Sequence, residues 1–451
     1  MIVVGAGAAC LLIFVAGFGT ALLILKNSSG INLLECFCLA WPFGVGITSL
    51  SLWIVGGFSS DLFLQTIVSA ICLALALAGW RSSQRARNQL RLPLPRTTAE
   101  WVLAVIVGLE IATIVVVSFK HTLGWDGLLN WEIKARYAFF NHGVLPASYY
   151  SGGGRAFSHP EYPLAIPFAE LWLYLWMGEP NQLLVKIIFP LFYAGGALLL
   201  ALFVARLTGK RWMGLLIAAL LPFVPFVTAG AGGVVVGYVD FPLGIVYLAA
   251  TGYLLQFLKD RHGSALYPFS ICAALLPWIK SEGVILYLIL VIGICALSSW
   301  KKIPKSSLIS LAPGLALILT WKLYLKIIHA IPPSDFARPS ITLLREHMDR
   351  VGRISSILWA EVIDLSDWSI FWLLAGVAVL YLLFSRRTQY IALALAVVTP
   401  IILYWLTYLF SAWPSYMSHM TSSMPRLLFQ VVPVAWLAIG IAAALPKDRS
   451  E

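Results

Sequence analysis

Between Gly124 and Pro167 the chain reads GWDGLLNWEIKARYAFFNHGVLPASYYSGGGRAFSHPEYPLAIP. This stretch gathers Asp126, Glu132, Lys134, Arg136, Arg155, His159 and Glu161 in a chain that is otherwise mostly apolar. Ionisable residues beside a bilayer are costly and are usually kept for a use. A carboxylate such as Asp126 can take a proton from an acceptor hydroxyl or amine and so activate it as a nucleophile. Glu132, six positions later, falls on a somewhat different face of any helix joining the two. Lys134 and Arg136 are cations of the kind that hold a phosphate leaving group and offset the charge developing on it. An interfacial helix with snorkelling cations and a capping aspartate would use the same residues without chemistry.

The segment His159-Pro160-Glu161-Tyr162-Pro163 is a second polar cluster, stiffened by its prolines. His159 and Glu161, with Tyr162 between stiff neighbours, suit a phosphate or a sugar hydroxyl; the segment would equally serve to cap the next helix. A divalent metal is possible there but not supported, because a metal usually needs three or more protein ligands. Three further polar points follow: Asp240 in GYVDFP, Lys280 with Glu282 in WIKSEG, and Arg426 at the head of RLLFQVVP. Lys280 and Glu282 could simply pair across a tight turn, and Arg426 could be a snorkelling anchor. The candidate catalytic residues are therefore Asp126 and Glu132. The candidate substrate-binding residues are Lys134, Arg136, His159, Glu161, Tyr162, Asp240, Lys280, Glu282 and Arg426.

The elements that must position these residues are membrane helices. Of 451 residues 60% are hydrophobic and only 11% charged, against about 25% charged in soluble domains, so an all-α polytopic membrane protein is expected. A crossing needs about 20 apolar residues. Thirteen segments meet or approach this: 2–25, 33–57, 62–80, 100–118, 182–205, 211–228, 241–258, 265–279, 283–299, 306–330, 368–384, 389–410 and 426–445. The N-terminal run lacks the basic start and cleavage site of a signal peptide and reads as a retained first span. The net charge of +11 does not point to nucleic acid, because the basic residues sit in short clusters between apolar runs, the positive-inside pattern.

Those clusters orient the chain. Arg81, Arg85, Arg87, Arg91 and Arg96 form the strongest. With that loop in the cytoplasm, Arg206, Lys210 and Arg211, Lys259 and Arg261, Lys301, Lys302 and Lys305, Arg386 and Arg387, and the tail KDRSE also fall inside. The loops 119–181 and 331–367 then fall outside, provided that 163–178 does not cross. In the second, Ile341, Leu344, Met348, Val351, Ile354 and Leu358 recur at helical spacing, which predicts an amphipathic surface helix. The six cysteines, Cys10, Cys36, Cys38, Cys72, Cys272 and Cys295, lie in or beside apolar runs and read as small buried hydrophobes.

Asp126 in its WDxxxxW-type segment, HPEYP before a short apolar helix, YVDFPL and WIKSEG together resemble the GT-C class of integral-membrane glycosyltransferases. The resemblance is to bacterial members related to the protein-mannosyltransferase and aminoarabinose-transferase branch. It covers roughly residues 100–300 and extends through Arg426 and RLLFQVVP. It implies a GT-C-like bundle of about 13 helices with interfacial helices in its outer loops. It also implies a polyprenyl-phosphate sugar donor, a lipid, glycan or protein acceptor, and an inverting transfer at the outer face of a bacterial inner membrane. The family's loop aspartate, a general base, corresponds to Asp126, and its His-Pro-Pro histidine to His159. Where well-known branches carry an Asp-Glu pair, this chain has Asp126-Gly127, with Glu132 only a loose substitute. On this reading, residues 1–99 are additional spans and a basic loop. Residues 100–330 are the core, 331–367 an outer loop with an amphipathic helix, and 368–451 the terminal spans. A transporter or flippase of lipid-linked sugars, or an O-antigen polymerase or ligase, are the alternatives. A transporter should hold ionisable residues near the bilayer midplane, whereas the polar points above gather at span ends.

Overall fold

The computed structural model describes residues 1–26, 32–84, 92–230, 232–333 and 335–445. Among these there is no strand, only an isolated bridge between Phe336 and Ser411. The protein is an all-α membrane protein. Eight described helices are long and apolar enough to cross a bilayer: Ile2–Leu25, Leu33–Gly56, Asp61–Gln84, Thr98–Lys120, Leu184–Thr208, Asp240–Asp260, Lys305–Ile327 and Thr388–Phe410. A ninth crossing arises if Tyr416–Phe429 and Val432–Ala444, bent by 47°, are one span. Pro433 opens the second half of that pair and lacks the N–H that would continue the helix, which accounts for the break. The segments expected at 211–228, 265–279, 283–299 and 368–384 fall on shorter apolar helices, Arg211–Phe223, Gly263–Ile279, Gly283–Ser299 and Phe371–Phe384.

The first three helices pack almost backbone to backbone. A Cβ on Gly17 would stand 1.8 Å from the Ala40 carbonyl oxygen, and one on Gly79 2.2 Å from that of Gly19. Small residues at helix crossings allow this approach where lipid gives no hydrophobic push. Helix Asp240–Asp260 is the central element, buried along nearly its whole length.

Hydrogen bonds and ion pairs sort the chain reversals onto two ends of the bundle. At one end Arg206 pairs with Glu35 (2.6 Å), Lys259 donates to the carbonyls of Arg206 and Leu207, Lys210 to that of Ala444, and Arg261 to that of Lys302. Arg211 reaches Glu100 and the Leu94 carbonyl at the same end. The basic residues at 206–211 and 259–261, read as cytoplasmic from their charge, thus meet one another and the 301–305 turn in space. Arg85, Arg87, Arg91 and the tail KDRSE lie outside the described residues. The opposite end carries the polar residues of 121–163, 240, 280–282 and 426.

Segment 163–178 forms helix Ala165–Met177, and both its flanks stay at that opposite end. It starts just after His159, and beyond it Lys186 donates to the His121 carbonyl. The amphipathic helix expected across 341–362 is broken into Ile341–Glu346, a single turn at Met348–Arg350, and Val351–Val362. At the break His347 bonds the Leu409 carbonyl through Nδ1 (2.5 Å) and Arg350 through Nε2 (2.8 Å), and tertiary bonds of this kind outweigh a continuous helical ladder. Ile354 is its only fully buried apolar residue, while Ile341 and Met348 are exposed. Cys36, Cys38, Cys72 and Cys272 are buried as expected, Cys10 is half-buried, and Cys295 is exposed instead.

Candidate functional site

Asp126 lies where helix Thr98–Lys120 has ended and a wide π-turn, Gly127–Glu132, begins. Such turns recur at functional sites because they displace one side chain from the regular helical face. The turn presses against the loop at 236–237. A Cβ on Gly127 would stand 2.8 Å from the Val236 carbonyl oxygen and 3.0 Å from that of Gly237. No side chain fits there without moving backbone, so this fold has no room for an acid next to Asp126.

Asp240 starts the central helix and is fully buried. Lys280 and Glu282 sit in the reversal between Leu266–Ile279 and Gly283–Ser299. That reversal is tight: a Cβ on Gly283 would fall 1.9 Å from the Leu276 carbonyl oxygen. Lys280 Nζ consequently donates to Asp240 Oδ1 (2.7 Å) and Glu282 Oε1 (2.8 Å). Burial pulls the Lys280 ammonium toward neutrality, but the adjoining carboxylates of Asp240 and Glu282 outweigh it and hold its pKa above the ordinary value.

Arg426 was expected at the start of the last span. It lies instead in the last turn of Tyr416–Phe429, just before the bend. Its guanidinium forks between Asp126 Oδ2, through Nη2, and Asp240 Oδ2, through Nε at 3.3 Å. It also stacks over the Tyr238 ring, 4.8 Å from the centroid. Gln430 Nε2 donates to Asp240 Oδ1 (2.6 Å) and takes the Tyr404 hydroxyl on its own Oε1 (2.7 Å). Four chain segments, those of Asp126, Asp240, Lys280 with Glu282, and Arg426 with Gln430, therefore meet in one polar knot.

A second group flanks it. His159 Nδ1 stands 3.5 Å from Glu161 Oε1 and 3.6 Å from Asp335 Oδ2, and its ring stacks on Tyr162 at 4.8 Å. Burial acts to lower the His159 pKa, but the neighbouring carboxylates of Glu161 and Asp335 overcome it and raise the value. Tyr162 connects the groups, since its hydroxyl feels Glu282, Glu161, Asp335 and Asp126. Burial and those carboxylates push its pKa well up. Asp335 is further held by Trp413 Nε1 (2.9 Å), and Trp413 stacks on His419, which bonds Ser411 Oγ through Nδ1 (2.8 Å). Glu161 Oε1 and Glu282 Oε2 are buried with no hydrogen-bond partner among the described residues.

Three sequence candidates are engaged elsewhere. Glu132 accepts from Arg136 Nε (2.9 Å) and from the Tyr174 hydroxyl (2.7 Å), so it serves a buried contact with helix Ala165–Met177 and does not pair with Asp126. Arg136 is held in that same pair. Lys134 is fully buried and donates to the carbonyls of Asn130 (2.5 Å) and Ser158 (2.6 Å), tying the π-turn to the HPEYP loop. Burial pushes its pKa down to about 7 despite the nearby charges of Glu161, Asp126 and Glu170. This geometry gives Lys134 and Arg136 protein partners.

Sequence reading passed over several residues. Gln430 was visible as the lone amide in RLLFQVVP, and Asp335 as the acid after the paired prolines Pro332 and Pro333. Glu170 is fully buried with neither carboxyl oxygen hydrogen-bonded among the described residues, inside a run that reads as simply apolar. Glu110, near the middle of Thr98–Lys120, lies within electrostatic reach of Tyr193, and among the described residues one Glu110 oxygen and the Tyr193 hydroxyl have no hydrogen-bond partner. No group of three or more His, Cys, Asp or Glu side chains is placed to hold a metal ion among the described residues. Comparison with family models, with curated proteins and with solved structures yields no match to this chain.

Proposed function

We propose that this protein is a GT-C-like glycosyltransferase. It moves a sugar from a polyprenyl-phosphate donor to a lipid, glycan or protein acceptor at the outer face of a bacterial inner membrane. On this reading the four shorter apolar helices also cross, giving the thirteen spans, and loops 119–181 and 331–367 face the periplasm.

One observation carries the reading: a nearly buried carboxylate, Asp126, shares its guanidinium partner with a fully buried one, Asp240. An arginine forked between two carboxylates is set to exchange one of them for a phosphate, which it also binds in bidentate fashion. A donor phosphate arriving at Arg426 and Lys280 draws the guanidinium off Asp126 and frees that carboxylate. Asp126 then takes the proton of the acceptor O–H or N–H. The acceptor atom bonds the anomeric carbon from the face opposite the phosphate, and the carbon–oxygen bond to polyprenyl phosphate breaks. The electron pair leaves with the phosphate, whose charge Arg426 and Lys280 offset. The configuration inverts. His159, Glu161 and Tyr162 form the wall against which a sugar packs, with the His159–Tyr162 stack as an aromatic face.

Mass spectrometry of lipid-linked sugars and surface glycans, in cells with and without the protein, tests this. Transfer predicts loss of one glycan modification and accumulation of one lipid-linked sugar. Unchanged profiles refute it.

One observation favours the second reading, a carrier of lipid-linked sugars. Glu110 and Tyr193 place unpartnered polar groups near mid-span, where proton-coupled carriers keep ionisable residues. Reconstituted protein separates the two. A transferase releases free polyprenyl phosphate, and a carrier moves the intact lipid between leaflets.

A further inference from the structure

Away from the polar knot, at the end of the bundle where the basic clusters meet, a cavity of about 770 Å³ opens between the reversal after Asp240–Asp260 and the start of Lys305–Ile327. Its described lining includes Arg261, Lys301, Lys302 and Lys305 and no carboxylate, with Phe257 forming part of an apolar wall. Most other cations at this end are committed: Arg206 to Glu35, Arg211 to Glu100, Lys259 and Lys210 to carbonyls. Arg261 holds the Lys302 carbonyl and so fixes the turn. The ammonium groups of Lys301, Lys302 and Lys305 have no hydrogen-bond or ion-pair partner among the described residues. Ser307 also lines the cavity. It is 1% exposed, and its hydroxyl has no hydrogen-bond partner among the described residues. Buried hydroxyls are normally satisfied, so an orphan in a cavity lined by three free lysines points to a missing acceptor.

We infer that this cavity is a second anion site, seating the phosphate of an anionic membrane lipid headgroup on Lys301, Lys302, Lys305 and the Ser307 hydroxyl. A phosphate oxygen supplies the acceptors that these donors lack. The apolar wall at Phe257 and the position at the end of the spans favour a phosphate carrying acyl chains over a soluble one. The site is distinct from the carboxylate knot. Asp240 opens the central helix and Arg261 follows its end, so one helix of 21 residues separates them, about 30 Å at 1.5 Å per residue.

The test uses the purified full chain, with phosphatidylglycerol and inorganic phosphate as separate probes, read by native mass spectrometry and by thermal unfolding. Wild type is expected to retain phosphatidylglycerol. Lys301→Gln/Lys302→Gln/Lys305→Gln should weaken it by about fivefold per lysine removed. Ser307→Ala, which keeps every charge and should fold normally, is expected to weaken it a few-fold. Arg386→Gln/Arg387→Gln, a control that removes two cations outside the cavity, should retain wild-type binding. Binding of inorganic phosphate with the same lysine dependence, but no lipid retention, would overturn the lipid occupant. Equal lipid retention by wild type, the triple variant and Ser307→Ala, or an equal loss in the control, would overturn the site itself.

Discussion

Asp126→Asn separates chemistry from structure at the proposed site. Asparagine keeps the shape of the side chain and an oxygen that accepts from Arg426, so the contact survives and only its charge is lost. Hydrogen bonds to charged groups contribute about 1 kcal/mol more than neutral ones. The pair is mostly shielded, at 11% exposure for the Asp126 side chain and 19% for Arg426, so solvent screens part of that difference but not all. Arg426 retains Asp240 and is not left unpaired. The stability cost is therefore about 1 kcal/mol, too small to empty the folded state. Loss of a general base costs about 10²–10⁴-fold in rate, or roughly 3–5 kcal/mol in the barrier. Donor affinity should change by less than about tenfold, because the base acts mainly in the transition state. Removing the carboxylate that competes for Arg426 should move it, if at all, toward tighter binding. The assay is release of free polyprenyl phosphate from a radiolabelled polyprenyl-phosphate sugar by reconstituted protein, beside equilibrium binding of the same donor. Turnover of Asp126→Asn within about tenfold of wild type would refute the base assignment.

Glu132→Gln should leave turnover within a few-fold of wild type. It should lower stability by about 1–2 kcal/mol through the weakened Arg136 and Tyr174 bonds, read by thermal unfolding; a loss of activity as large as that of Asp126→Asn would place it in the chemistry after all. Lys134 titrates near 7 in the folded protein and near 10.5 unfolded, so between those values the unfolded chain holds the extra proton and unfolding free energy rises with pH. Lys134→Met should remove that rise, and identical pH profiles of unfolding in both proteins would show that the folded lysine titrates normally. Single cysteines at Ser151 and Ser306, both exposed and at opposite ends of the bundle, should label from opposite sides of intact cells, Ser151→Cys from outside; the reverse pattern would overturn the proposed orientation.

Much of the architecture was legible in the chain. Long apolar runs can satisfy their backbone in lipid only as helices, and the eight long helices coincide with expected segments because length and hydropathy suffice to define them. The basic loops were legible for the same reason, since charge clusters need no partner to be recognised. Helices of 13 to 17 residues such as Ala165–Met177 and Gly283–Ser299 were harder, because length alone does not distinguish a short crossing from a re-entrant helix. The single helix expected at 341–362 failed where His347 and Arg350 found partners across the loop, a bond no periodicity reveals.

The sequence by itself determined that the chain is helical, that it lives in a membrane, and which side chains were available for chemistry at the ends of its spans. Only the tertiary structure decided how those side chains are shared. Asp126 and Arg426 stand 300 positions apart and form one pair, whereas Glu132, close to Asp126 in sequence, turns to Tyr174 instead. The reason is physical. A carboxylate or ammonium shielded from water takes whichever partner packing brings within hydrogen-bond reach. Packing is fixed by close approaches such as those of Gly127 and Gly283, which depend on what another segment of backbone leaves vacant.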